Sequence, residues 1–156
     1  MAPSPFAAEL NESSTALQRV LRAVLDVEKR TQGMLSPLEL VKAITSSEEW
    51  AWIRPLYGLI ADIDHALAGD EPLPANEIAA IGAHARAMLS GNGAPIEQAF
   101  LDHYRALLQV HTEIAMAHGG AMQALKKLPP EPETEAERLH AHHQWNERRT
   151  HQRQHR

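Results

Sequence analysis

An all-helical fold is what this sequence predicts, on three observations. Alanine and leucine are abundant while aromatic residues make up only 4% of the chain, which suits helices packed through small side chains and disfavours a β-rich core. Apolar residues recur with helical period in successive segments. Start and stop signals fall between those segments, the clearest being the serine, proline and glutamate of Ser36, Pro37 and Glu39. The expected architecture is an up-and-down bundle of four to five helices followed by a polar, flexible C-terminal tail. Its divisions are a flexible N-terminus over 1–12, a bundle over 13–128, and a Pro/Glu-rich linker with a His/Arg-rich tail over 129–156. With 156 residues, 44% of them hydrophobic, the chain is long enough for one core.

The first helix is expected to start near Ser13 or Ser14 and to stop at Gly33, with Leu17, Leu21 and Val24 on one face and Glu28 continuing that stripe. A glutamate there either reaches solvent at the stripe's end or is buried with a partner. Helix two begins at the Ser36 cap and carries Leu38, Val41 and Ile44. Thr45, Ser46 and Ser47 then compete with the backbone for hydrogen bonds, and Ser46 with Glu49 spells a second capping box. From Glu48 to Ala68 the stripe is Trp52, Leu56, Leu59, Ile60, Ile63 and Leu67. Pro55 interrupts it and predicts a kink or break near Arg54.

Gly69, Asp70, Pro72 and Pro74 form a turn-rich connection to a fourth helix over about Asn76 to Ser90, in which Gly82 permits close approach to a neighbour. Gly91, Asn92 and Gly93 end it. A long fifth helix is expected to run unbroken from Pro95 to Leu128. Its stripe, at about 100° per residue, is Ile96, Phe100, Leu107, His111, Ile114, His118 and Leu125. After the linker Pro129 to Thr134, the segment Glu135 to Arg156 has only Leu139 and Trp145 as large apolar side chains, too few to fold alone.

Composition excludes several classes. Without cysteine there are no disulfides, thiolate zinc sites or cysteine nucleophiles, which points to a cytoplasmic protein. No apolar run approaches the roughly 20 residues of a membrane span, and Met1 to Leu10 lacks signal-peptide character. The formal charge of −5 repels phosphate backbones, and no helix carries a basic face, which argues against nucleic acid. Gly-x-Ser-x-Gly elbows, phosphate-cradling glycine loops and His-Glu-x-x-His are absent.

Three constellations carry what chemistry remains. His111 and His118 occupy apolar-stripe positions about 10 Å apart along one axis, so a divalent transition metal would need a carboxylate from a facing helix, such as Glu28 or Glu49. The tail gathers His140, His142, His143, His151 and His155 among arginines, and His140 with His143 can share a face toward a metal ion. Asp62 and His65 have ligand-like spacing on a face expected to be solvated. Trp50, Trp52 and Tyr57, near the Pro55 irregularity, have the composition of an interface anchor. The function these features suggest is a non-catalytic bundle acting through protein contacts, with a partner or as a homodimer, as a small bacterial-type regulatory or accessory protein. The alternative is a metal- or small-ligand-binding bundle using His111, His118 and Glu28.

Overall fold

The computed structural model describes residues 4–33, 36–91 and 98–155, and among these it contains helices and no strand. In order they are α1 (Ala7–Gln32), α2 (Pro37–Ser46), a 3-10 turn (Glu48–Ile53), α3 (Arg54–Ala68), α4 (Ala75–Ser90), α5 (Gln98–Val110), α6 (Thr112–Leu125) and α7 (Glu135–Gln154). The class is all-helical as expected, but the described residues form seven α-helices where four to five were expected. Two local differences account for the count: the long fifth helix is divided, and the tail is itself a helix.

α1 begins at Ala7, ahead of both serines, so much of the segment expected to be flexible over 1–12 is ordered helix. The reason is packing: Leu10 is fully buried and heads a stripe continued by Leu17, Val20, Val24 and Val27. Ser13 and Ser14 are therefore interior positions rather than caps. Ser14 donates its hydroxyl to Asp64 on α3, and Gln18 adds a bond to the same carboxylate at 3.1 Å. α1 lies mainly against α6 and α3.

The Ser36 cap forms as read, accepting from the Glu39 amide at 3.2 Å with Pro37 in the first turn. The break near Arg54 is also present. There the backbone tightens into the 3-10 turn, capped by Ser47 rather than Ser46, and α3 restarts with Pro55 in its first turn, where no amide donor is needed. Arg54 ties the corner, donating to the carbonyls of Ile44 at 2.7 Å and Ser47 at 2.8 Å. Gly91 ends α4 at φ +81°, a conformation open to glycine. Gly82 works as expected: a β-carbon there would sit 3.1 Å from Leu128 Cδ1.

The helix expected over Pro95 to Leu128 is not continuous. Pro95 and Ile96 lie outside the described residues, and the chain leaves the helix at His111, which is extended at φ −109°, ψ 111°. No proline or glycine forces this break. Tertiary packing does: α5 buries Phe100, Leu101 and Tyr104, while α6 buries Ile114, Ala121, Ala124 and Leu125, most of its contact being with α1. A straight helix cannot serve both faces, and the small Ala121 and Ala124 allow close approach. His111 is thereby removed from the interior stripe and becomes the residue preceding α6.

The C-terminal segment is a 20-residue helix packed on α4 and α3. Thr134 caps it, accepting from Glu137 N at 3.2 Å. The preceding Pro/Glu segment is tied to it, because Arg138 donates to the carbonyls of Pro132 at 3.0 Å and Glu133 at 2.6 Å. His142 adds a bond to Glu131 at 2.9 Å. No helix among the described residues is long and apolar enough to cross a membrane.

Candidate functional site

The inner face of α7 is Ala141, Trp145, Arg148 and Gln152, at helical spacing, with Arg149 and Arg153 beside them. Ala141 and Trp145 are buried, and the Trp145 ring lies 5.5 Å from the Arg149 guanidinium carbon. The arginines reach two carboxylates that the rest of the fold buries. Asp62 of α3 is fully buried and accepts from Arg149 Nε and Arg153 Nη2, both at 2.7 Å. Glu77 in the first turn of α4 is 2% exposed and accepts two bonds from Arg148, which also reaches Glu71 at 3.2 Å. Burial alone would raise the Asp62 carboxyl, but the hydrogen bonds and charges of Arg149 and Arg153 outweigh it and hold the group below the usual carboxylate range. At Arg148 burial opposes the charge, and Glu77 and Glu71 overcome it. Asp62 is therefore not on a solvated face, although its expected companion His65 is exposed.

Above this clamp is a cleft of about 590 Å³ between the end of α3, the connection to α4, and α7. His65, Asp70, Glu71, Glu147 and His151 line it together with the ion-paired Glu77 and Arg148. Two stretches remote in sequence, 65–77 and 144–152, thus build one concavity. Two of its wall residues, Glu77 and Arg148, are fixed by mutual bonds.

The residues singled out from sequence are dispersed. Glu28 is buried at 7% exposure and has a partner, but that partner is His103, which donates from Nε2 at 3.2 Å. His118 Nδ1 and the Tyr104 hydroxyl share a hydrogen bond of 2.7 Å, and His111 stands at the α5–α6 break. His111, His118 and Glu28 are not brought together. Among the described residues no group of three or more histidines, aspartates or glutamates is placed to hold one metal ion. In the tail, His143 pairs with Glu147 on its own helix at 2.9 Å, and His140 is exposed.

The expected interface anchor is divided as well. Trp50 is 3% exposed and belongs to the core, so it is unavailable to a partner in this fold. Trp52 is half-buried with its ring stacked on His103 at 3.7 Å and 5°, and Tyr57 is half-buried against the core. Sequence periodicity did not single out Tyr104, Glu77 or the α7 arginines. Thr134-x-x-Glu137, a capping box, was the available signal that a helix starts there.

Buried Tyr104 and half-buried His118 form a dyad with a measurable signature. Burial pushes the Tyr104 phenol up and the His118 imidazole below its ordinary value of 6.5. The folded state thus favours neutral His118: this contribution to stability is fully present above about pH 6.5 and is lost as pH falls through the lower folded value. Urea melts at pH 7.5 and pH 5.5 are expected to differ more in the natural protein than in His118→Gln, which keeps an acceptor and cannot titrate. Tyr104→Phe should cost about 0.5–1.5 kcal/mol at pH 7.5.

Compared with known proteins, the chain matches no protein family, and no curated protein or solved structure is significantly similar to it. Function is therefore argued from the residues themselves.

Proposed function

We propose that this chain is a non-catalytic binding protein, a helical bundle whose small-ligand site is the cleft between α3, α4 and α7. The carrying observation is the cleft's construction. Its walls come from two stretches remote in sequence, 65–77 and 144–152, and ion pairs between buried carboxylates and α7 hold them together. A wall pre-positioned in this way spares a ligand part of the ordering cost of binding. The metal version of this reading loses support, because its ligands do not converge. Screening a fragment library by NMR should give hits that shift the amides of residues 65–71 and 144–152. Hits that map consistently elsewhere would contradict the assignment.

A second reading, docking to a protein partner or second copy as a regulatory or accessory protein, is supported by a different surface from the one expected. Leu38 and Val41 are 67% and 47% exposed one turn apart on α2. Light scattering over a concentration series tests it. A dimer dispersed by Leu38→Ser with Val41→Ser supports this reading, and a monomer throughout removes the homodimer.

A further inference from the structure

Independently of the cleft ligand, we propose that His151 and His155, at the end of α7, form a two-imidazole site for a divalent ion of the copper, nickel and zinc class. Copper(II) should bind it most tightly. Residues four apart on a helix lie one turn apart on the same face, and that spacing is what lets two imidazoles of one helix meet a single ion. Here both side chains are exposed, and their ring centroids are 4.2 Å apart with the planes tilted by 32°. Among the described residues no three ligating groups converge, so the helix supplies two ligands and water fills the other positions. The site is open and its ion exchangeable.

A second observation fixes where the proton sits. The last carbonyls of a helix lack amide partners, and the His155 amide turns to the Gln152 carbonyl at 3.2 Å instead of closing on His151. The His155 ring takes the His151 carbonyl in its place, with Nδ1 2.9 Å from the oxygen. A carbonyl only accepts, so in the neutral ring Nδ1 carries the hydrogen and Nε2 keeps its lone pair. Metal-binding imidazoles are held in just this way, one nitrogen donating to a carbonyl and the other offered to the ion. Local charge agrees. Arg149 and Arg153 are turned to Asp62, Arg148 is held by Glu77 and Glu71, and Glu147 lies one turn before His151. A helix C-terminus itself favours a cation. His143, by contrast, is engaged by Glu147 at 2.9 Å.

Copper(II) is the probe, added below one equivalent to the full chain carrying no affinity tag. Its paramagnetism broadens nearby amide signals, and those of residues 148–155 should fade before the amides around the other histidines. Electron paramagnetic resonance of the same sample should show coupling to two imidazole nitrogens. His151→Asn and His155→Asn should each reduce that to one nitrogen and weaken the tightest equivalent by at least about 10-fold. His140→Gln and His143→Gln should change it by less than about 2-fold. Both ligand positions are exposed at a helix end, so circular dichroism should show the same helix content in every variant.

Broadening spread evenly over the histidines, or centred on His140 and His143, would overturn the pair. So would a tightest equivalent that keeps its strength in His151→Asn or His155→Asn, which would mark an adventitious ion only. Magnesium(II) displacing copper(II) at equal concentration would mean that the carboxylate of Glu147, and not imidazole, holds the ion, because magnesium takes oxygen ligands. That result also overturns the proposal.

Discussion

Replacing Arg149 and Arg153 together by alanine is expected to lower stability by about 3–5 kcal/mol. Both guanidiniums bond Asp62, a carboxylate with no exposed surface in the middle of α3. An arginine deprived of its carboxylate can swing toward water, but Asp62, held by its helix, cannot. Stripping it of both guanidiniums leaves a negative charge in the interior with most of its compensation gone. The loss should be read by denaturant unfolding, with faster proteolysis within Glu135–Gln154 as the local sign that α7 has detached. Adding Asp62→Leu should recover much of the loss, since an apolar side chain at a buried ion-pair site is often neutral. Acid acts on the same contact. Because the folded-state carboxyl is held low, its contribution is fully present above the unfolded value of about 4 and is lost as pH falls through the folded value. An unchanged midpoint in the double variant would show that α7 is held without the clamp.

Trp50→Ala is the second large effect, at about 3–5 kcal/mol. At 3% exposure, Trp50 fills core space under the 3-10 turn together with Ile53 and Leu56, so truncation leaves a cavity rather than a weakened contact with a partner. The expected readout is a large shift in the urea midpoint. A variant with native stability that loses only an association would restore the docking role suggested by its sequence neighbourhood. Trp52→Ala should cost less, because that ring is half-exposed and its main loss is the stack on His103.

Local rules are legible in this chain wherever the backbone chemistry is local. Ser36 with Pro37, the break at Arg54 and the αL stop at Gly91 all follow from residues within a few positions of the event. Tertiary choices are not. At His111 the chain breaks without a helix breaker, because Phe100 and Tyr104 are drawn under Trp52 and α4 while Ala121 and Ala124 are drawn to α1. Periodicity assumed one axis and so placed His111 and His118 on one oily face.

The C-terminal helix was hidden for a different reason. Its buried residues are only Ala141, Trp145 and Gln152, and the arginines beside them are counted as solvent-facing by a hydropathy pattern. Arginine stems cover apolar surface while their heads find carboxylates, and the partners Asp62 and Glu77 lie 87 and 71 residues away in sequence. Glu28 was legible as a buried group with a partner, but the partner's identity depended on how α5 lies, and it proved to be His103.

Amide hydrogen exchange across Glu135–Gln154 in the intact, unliganded protein addresses the integral role of α7 most directly. If this helix is part of the fold and walls the cleft, amides around Ala141, Trp145 and Gln152 should be protected nearly as well as those of α3 and α4, and deprotected together in the Arg149/Arg153 variant. Exchange at the rate of an unstructured peptide throughout this segment would contradict both the clamp and the site built upon it.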